Sequence, residues 1–418
     1  MKARLRVFAS GLLLLSMSSG LSRPQPATAA DPPGGKAPLL PDERIETPDK
    51  PVTVEEATRW AAALQQAVHD QDIDAFNSLV DWDALIEKAT ALAGDSAQLK
   101  EFRANFGRGL KLATVSPKSG FARAIMAAVA GSGSYRALRI HKDGGQMRIL
   151  FRLISSNGAL NYHDWVLGRS RDGKTVAFDC YVFLTGEMYS QNLRRSFLPL
   201  AHRSGGANVE TLPGPEKDFV ANFSRFTQMG NYVRERNWRL ALNTYKELPS
   251  SVQQSKPAMT MRLLATQSVS DAEYLATIDE FRKRYPNDPM IDLISVDAYI
   301  LRKAYDQALE AVDRVDKVIG GDPYLKVLRA NVLMKEGKLD AARNMAQDAI
   351  VQDRNLLRGY YSLLDISLAR RDYADTVKWL NKAESLGVTF GDLTALSAFA
   401  DFVKSPEYKT WLKTRGKK

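Results

Sequence analysis

Apolar positions in the C-terminal half of the chain return at a constant spacing. Ala308, Ala342 and Thr376 lie 34 residues apart, as do Tyr305, Leu339 and Tyr373, then Val312, Ala346 and Leu380, then Val315, Ala349 and Ala383. In each set an aromatic residue or Leu precedes the small residue by three, and apolar residues follow by four and seven, which is the spacing of one helix face. A fixed period of this length marks stacked supersecondary units that bury their apolar faces only against neighbours. Trp238, Ala241, Tyr245 and Leu248 take the same relative places earlier in the chain, and Tyr274, Thr277, Phe281 and Arg284 do so more loosely. The pattern therefore predicts about five helical units over 217–388, with a tightened junction at 284–289. Leu393, Leu396, Phe399, Ala400, Val403 and Trp411 predict a helical cap within 389–418, covering the apolar face that the last unit would otherwise expose.

The N-terminal half is patterned differently. Residues 31–51 hold six prolines and Gly34-Gly35, a composition that resists both helix and core and predicts a mobile tether. Thr53-Val-Glu-Glu56 is a capping box, and the helix it opens buries Ala57, Trp60, Ala61, Leu64 and Val68. Shorter helices are predicted over 73–80, 83–93, 99–112 and 121–130. After Gly131 the period becomes alternating: strands are predicted at 135–141, 146–154, 160–169 and 175–185, separated by Asp143-Gly-Gly145, Asn157-Gly158 and Asp172-Gly173, which supply tight hairpin turns. Helices followed by an antiparallel meander give an α+β domain over 52–203, closed by a helix at 188–202, with a boundary at 204–216 marked by Ser204-Gly-Gly206 and Pro213-Gly-Pro215.

Charge changes the picture through its location. The net charge is +10, but Lys2, Arg4, Arg6 and Arg23 stand in the first thirty residues without an acid, and six basic residues face Glu407 alone in the last fifteen. The body between them is close to neutral, which argues against a nucleic-acid groove. Residues 1–30 read as a secretory signal: a basic start, an apolar run over 7–17 too short to span a bilayer comfortably, and a small-residue site at Ala27-Thr-Ala29-Ala30. An exported protein, periplasmic or extracellular, with no integral span after signal removal, is expected. Cys180 is the only cysteine, so no intrachain disulfide can form.

Two families are resembled. Lys335-Glu-Gly-Lys-Leu-Asp-Ala-Ala342, with Ala346 and Ala349, resembles the turn and second helix of a tetratricopeptide repeat, and Arg371-Asp-Tyr-Ala-Asp-Thr376 resembles the same turn one unit later. The family's Trp, Leu-Gly and Tyr are replaced here by Lys326, Arg329-Ala330 and Leu333. The resemblance implies antiparallel helix pairs stacked into an all-α superhelix whose inner wall binds a protein or peptide. It also implies that Gly230, Thr266, Asp297, Asn331 and Asp365 face that groove; Asp297, Asn331 and Asp365 are the candidate partner-binding residues. Val327 stands where chaperone-tail-binding members carry Lys, so a chaperone carboxylate is not the expected ligand. Residues 52–203, through Ala63-Leu-Gln-Gln-Ala-Val-His-Asp-Gln-Asp-Ile-Asp-Ala-Phe76 and the order of their elements, resemble the nuclear transport factor 2-like cone.

Alternation places His163 and Trp165 on one face of the third strand and Asp179 and Tyr181 on one face of the fourth. If both faced a cone interior, His163 and Asp179 could be an acid–base pair of a lyase or isomerase type, or simply a hydrogen bond between strands. Cys180 falls on the other parity and reads as a buried small hydrophobe. Four histidines and one cysteine without ligand spacing, and the absence of a phosphate loop or a Gly-x-Ser-x-Gly elbow, leave no metal or cofactor to expect. Tyr408 and Trp411 among the C-terminal lysines admit a weak contact with an acidic surface. The reading is a non-enzymatic protein-interaction adaptor, with a small-molecule-binding or lyase-type cone docked by the repeats as its alternative.

N-terminal sequencing of the exported protein is expected to begin at Ala30 or Asp31; a retained Met1 in the membrane fraction would overturn the signal reading.

Overall fold

The computed structural model describes residues 51–91, 97–118, 120–203, 214–286 and 288–415. The expected signal, all of the tether but Pro51, and most of the boundary at 204–216 lie outside the described residues. The chain divides into two compact units, Met1–Ile291 and Asp292–Lys418. The first two helical pairs thus belong with the sheet, and the division falls within the repeats.

In the first unit α1 (Val54–His69), α2 (Ile73–Ser78), α3 (Trp82–Thr90), α4 (Ala97–Thr114) and α5 (Phe121–Val129) precede an antiparallel meander. The capping box forms as read: Glu56 N–H donates to Thr53 Oγ1 at 3.2 Å and Thr53 N–H to Glu56 Oε2 at 2.9 Å. Arg169 holds the same carboxylate at 2.7 Å, so Glu56, drawn down to about pKa 2 mainly by that hydrogen bond, ties the start of α1 to the end of a strand. The strands β1 (Ser134–Asp143), β2 (Gln146–Ile154), β3 (Leu160–Arg169), β4 (Thr175–Val182) and β5 (Glu187–Met188) lie side by side in chain order. β5, a two-residue strand, was not legible as a strand in the sequence. α6 (Tyr189–Arg203) follows it.

The helical part holds α7 (Gly214–Ala221) and then five pairs: α8 (Phe223–Arg234) with α9 (Trp238–Lys246); after the short α10 (Ser250–Gln253), α11 (Lys256–Val269) with α12 (Asp271–Arg284); α13 (Pro289–Leu301) with α14 (Tyr305–Ile319); α15 (Pro323–Glu336) with α16 (Leu339–Gln352); and α17 (Leu357–Arg370) with α18 (Tyr373–Glu384). The second helix of each pair completely buries the small residue of the repeat pattern: Ala241, Thr277, Ala308, Ala342 and Thr376 are each 0% exposed. In four of the five pairs the turn holds a left-handed residue, Arg236 (φ 61°), Lys303 (φ 58°), Gly337 (φ 91°) and Arg371 (φ 57°), the last three at the repeat period, whereas the turn between α11 and α12 passes through extended Ser270. Such a residue lets the chain reverse directly after the helix C-terminus, and only Gly337 adopts it without Cβ strain.

The C-terminal cap consists of 3₁₀ turns at Leu393–Ala395, Ser397–Phe399 and Phe402–Lys404 and of α19 (Pro406–Arg415). Leu393, Phe399, Phe402, Tyr408 and Trp411 join Leu363, Trp379 and Leu380 in one core. Leu396, 48% exposed, and Ala400, also exposed, depart from the expected apolar set. Tyr408 and Trp411 are buried, with Trp411 Nε1 donating to Asn381 Oδ1 at 2.9 Å, so these rings close the stack and are withheld from any acidic surface. Lys409 and Lys413 are exposed and remain available to one. No helix among the described residues is long and apolar enough to cross a membrane.

Ala342→Leu is expected to cost about 1–3 kcal/mol, because added methylenes at a fully buried crossing force two helices apart. Cys180→Ala, which removes one buried sulfur atom, is expected to cost less. Thermal denaturation of both variants compares them; equal or reversed losses would displace the repeat register.

Candidate functional site

Trp165 is the centre of the sheet's helix-facing side. Its ring meets Trp60 of α1 at 5.8 Å, Phe76 of α2 at 5.9 Å and Phe121 of α5 at 5.6 Å between centroids. Cross-strand register places Ile149 and Cys180 opposite Trp165, and Phe151 and Val182 opposite His163, so all six share this side. The expected parity is therefore corrected: His163 and Trp165 lie with Cys180 against the helices, while Tyr181 stands opposite Asp164 on the other side. A bulge where the register shifts after Val166 breaks simple alternation in β4 next to Asp179.

His163 and Asp179 do not form a pair. Asp179 is 1% exposed and fully engaged: Oδ1 accepts from Ser190 N–H at 3.0 Å and Cys180 N–H at 2.9 Å, and Oδ2 from Ser190 Oγ at 2.5 Å and Lys88 Nζ at 2.9 Å. It anchors the beginning of α6 and the last turn of α3 to β4. His163 is closed off by its own network. Asn161 Oδ1 accepts from Tyr162 and Leu184 N–H, both at 2.9 Å, which fixes its amide and directs Nδ2–H to His163 Nε2 at 3.1 Å. Nε2 must then accept, so Nδ1 carries the proton and donates to Tyr135 Oη at 3.1 Å, the oxygen that also accepts from Trp165 Nε1 at 2.7 Å. Burial lowers the imidazole to about pKa 3, holding it neutral. Neither ring nitrogen is left for a substrate.

The sheet's other side carries charges that the sequence reading did not single out. Arg148 Nε donates to Asp164 Oδ2 at 2.6 Å, and His141 Nε2 lies 2.9 Å from Asp164 Oδ1. Half-buried Tyr181 stands beside this cluster, its hydroxyl pushed well above the usual range, chiefly by burial. Lys256 of α11 reaches Asp288 at 2.5 Å and the Gly186 carbonyl at 3.3 Å, tying the β4–β5 turn to the first helical pairs. Arg148 and Arg152, spaced four apart in an otherwise apolar strand, were the available signal that this side is covered as well.

In the repeats the five positions expected to face a groove differ in access. Thr266 is buried and bonded to its own helix through Arg262 and Leu263 carbonyls, both at 3.0 Å, while Gly230 is half-buried on α8. Asp297 of α13 is 6% exposed, so its side chain is not an open rung. Asn331 of α15 is half-buried and accepts from Ser362 Oγ of α17 at 2.9 Å, joining two adjacent first helices. Asp365, one turn further along α17, is exposed to solvent yet ringed by enough protein to push its carboxyl up to about 6, against the opposing pull of Lys335. Arg358 lies 5.7 Å over the Tyr361 ring, and the spacing of 358, 361 and 365 sets all three along one stripe of α17. Lys335, Arg358 and Tyr361 were missed in the sequence, where only one position per unit was considered.

His163 gives a test of this geometry. Its folded pKa lies below the unfolded value, so the unfolded chain binds the extra proton and stability falls as pH drops from about 6.5 toward about 3, by at most about 1.4 kcal/mol per unit. His163→Gln is expected to be less stable near pH 7, by about 1–3 kcal/mol, and to lack this share of the acid slope. Urea unfolding across that pH range compares the two chains; parallel slopes would show that His163 is not held neutral.

No family model and no curated protein matches the chain. Among solved structures it is similar to "MamA RS-1 ArsTM double mutant", at 16% identity over 39% of this chain and 94% of that one, with a TM-score of 0.34. It is also similar to "PilW, widely conserved type IV pilus biogenesis factor", at 13% identity over 46% of this chain and 98% of that one, with a TM-score of 0.35. By its own helix pairs, period and buried small residues, the helical part is a tetratricopeptide-like array following an α+β domain.

Proposed function

We propose that the protein is an exported, non-enzymatic interaction adaptor whose wall over α15 and α17 takes up an extended, basic protein segment. The observation that carries the reading is the Asn331–Ser362 bond, which holds two first helices together beside the open carboxylate of Asp365. Tyr361 offers an aromatic face next to it, and Lys335 limits how many cations the wall can accept. A lysine or arginine of the partner gains a charge-assisted hydrogen bond at Asp365, and the partner's backbone can use the second lone pair of Asn331. Export rests on the basic, apolar and small-residue order of the first thirty residues. The lyase-type alternative loses its proposed dyad, since both His163 nitrogens and both Asp179 oxygens have other partners.

A photo-crosslinking residue at position 361 is expected to trap a partner that the same residue at position 351, on the outward side of α16 and 74% exposed, does not trap. Asp365→Asn is expected to weaken the contact about tenfold. Binding is expected to strengthen as pH rises through about 6, where the carboxyl ionises. Equal adducts at both positions, or a pH-independent contact unaffected by Asp365→Asn, would overturn the reading.

A further inference from the structure

The geometry points to a second binding site, separate from the α15–α17 wall: a recess on the first two helical pairs that takes an acidic peptide segment carrying an apolar side chain beside its carboxylate. The recess has a volume of about 410 Å³ and is lined by Arg236, Trp238, Arg239, Leu240, Ser268 and Val269, together with Asn237. It lies where the turn between α8 and α9 meets the end of α11, so the intra-pair turns of two successive units form its walls.

Its charge is one-sided. Arg236 and Arg239 make no ion pair among the described residues, unlike Arg262, which meets Glu280 at 2.6 Å, Arg329, which meets Asp313 at 2.7 Å, and Arg343, which meets Asp375 at 2.7 Å. Glu235 is the nearest acid in sequence, does not line the recess, and already accepts from Asn237 Nδ2 at 3.0 Å. Two guanidinium groups without an acid favour a carboxylate, which each can bind through two parallel hydrogen bonds.

Its surface is also apolar. Leu240 is 48% exposed and Trp238 half-exposed, although both stand on a helix whose opposite face is buried. A carboxylate alone leaves these side chains in water, whereas an acidic segment with a leucine or an aromatic side chain covers them. The recess is shallow and largely open to solvent, while small-molecule sites enclose most of the ligand's surface, which favours a peptide lying across it. A nucleic-acid strand needs a longer basic track than two arginines provide.

The test uses the full chain and fluorescently labelled probes: a short peptide of alternating Glu and Leu, the same peptide with Lys for Glu, the same with Ser for Leu, and a single-stranded oligonucleotide of equal charge. The Glu/Leu peptide is expected to bind, the Ser version more weakly by about fivefold, and the Lys version not at all. Arg236→Gln with Arg239→Gln is expected to weaken the Glu/Leu peptide by about tenfold or more. Leu240→Asp, a change at an exposed position, supplies a second variant expected to abolish binding while circular dichroism and melting stay unchanged. Asp365→Asn should leave it intact, which separates this site from the wall described above. Undiminished binding in Leu240→Asp, equal binding of the Lys peptide or the oligonucleotide, or no binding of the Glu/Leu peptide up to about 1 mM would overturn the proposal.

Discussion

Five side chains govern how closely two helices can cross in each pair, and the repeat array depends on their being small. Ala241, Thr277, Ala308, Ala342 and Thr376 are all fully buried. At two of them a hydroxyl enters the crossing and needs a partner: Thr277 donates to the Glu273 carbonyl at 2.7 Å, and Thr376 to the Asp372 carbonyl at 2.9 Å. Ser367 on the facing helix lies 3.0 Å from Thr376 Oγ1, so the polar atom is used to join the pair. With that distance set, ion pairs such as Arg343–Asp375 can bridge α16 and α18, and α15 and α17 come near enough for Ser362 to reach Asn331. The wall proposed to bind a partner is thus a consequence of the packing behind it.

The sheet obeys a different constraint, because both of its sides are covered. On the helix side a cluster of aromatic rings leaves one histidine that is satisfied only in its neutral form. On the other side Arg148 and His141 both reach the Asp164 carboxylate within hydrogen-bonding distance. Replacing one member of such a cluster leaves a buried charge without its partner, which costs more than the intact group contributes. These groups join strands of the sheet to one another.

What could be read from the sequence follows from range. The helix period, the hairpin glycines and the capping box are set by residues within a turn or two of one another, and the observed elements follow them closely. The face of each strand was not readable in that way. Residues 147–154 of β2 are buried on both sides, so alternation of apolar and polar residues carries no sign of which side meets the helices. The bulge after Val166 then brings Ala177 opposite Leu167, out of simple alternation with Asp179, a displacement that depends on a neighbouring strand. Access to the expected groove positions depends on the helices that pack beside them, which is why Asp297 is buried and Asp365 is open. Arg236 and Arg239 were invisible as a site for the same reason: a missing ion partner is a property of space.

The two candidate surfaces differ in sign, and this bears on how an adaptor discriminates. Asp365 and the polar group beside it favour a cation, whereas Arg236 and Arg239 favour an anion next to an apolar side chain. A segment suited to one meets like charge at the other, so each surface rejects the other's ligand without any added contact. Both are partly exposed, so the attraction at each is modest and sensitive to salt. Selectivity then rests on the apolar contact that accompanies the charge, Tyr361 at the wall and Leu240 with Trp238 at the recess, because those contacts persist where salt screens the ionic ones.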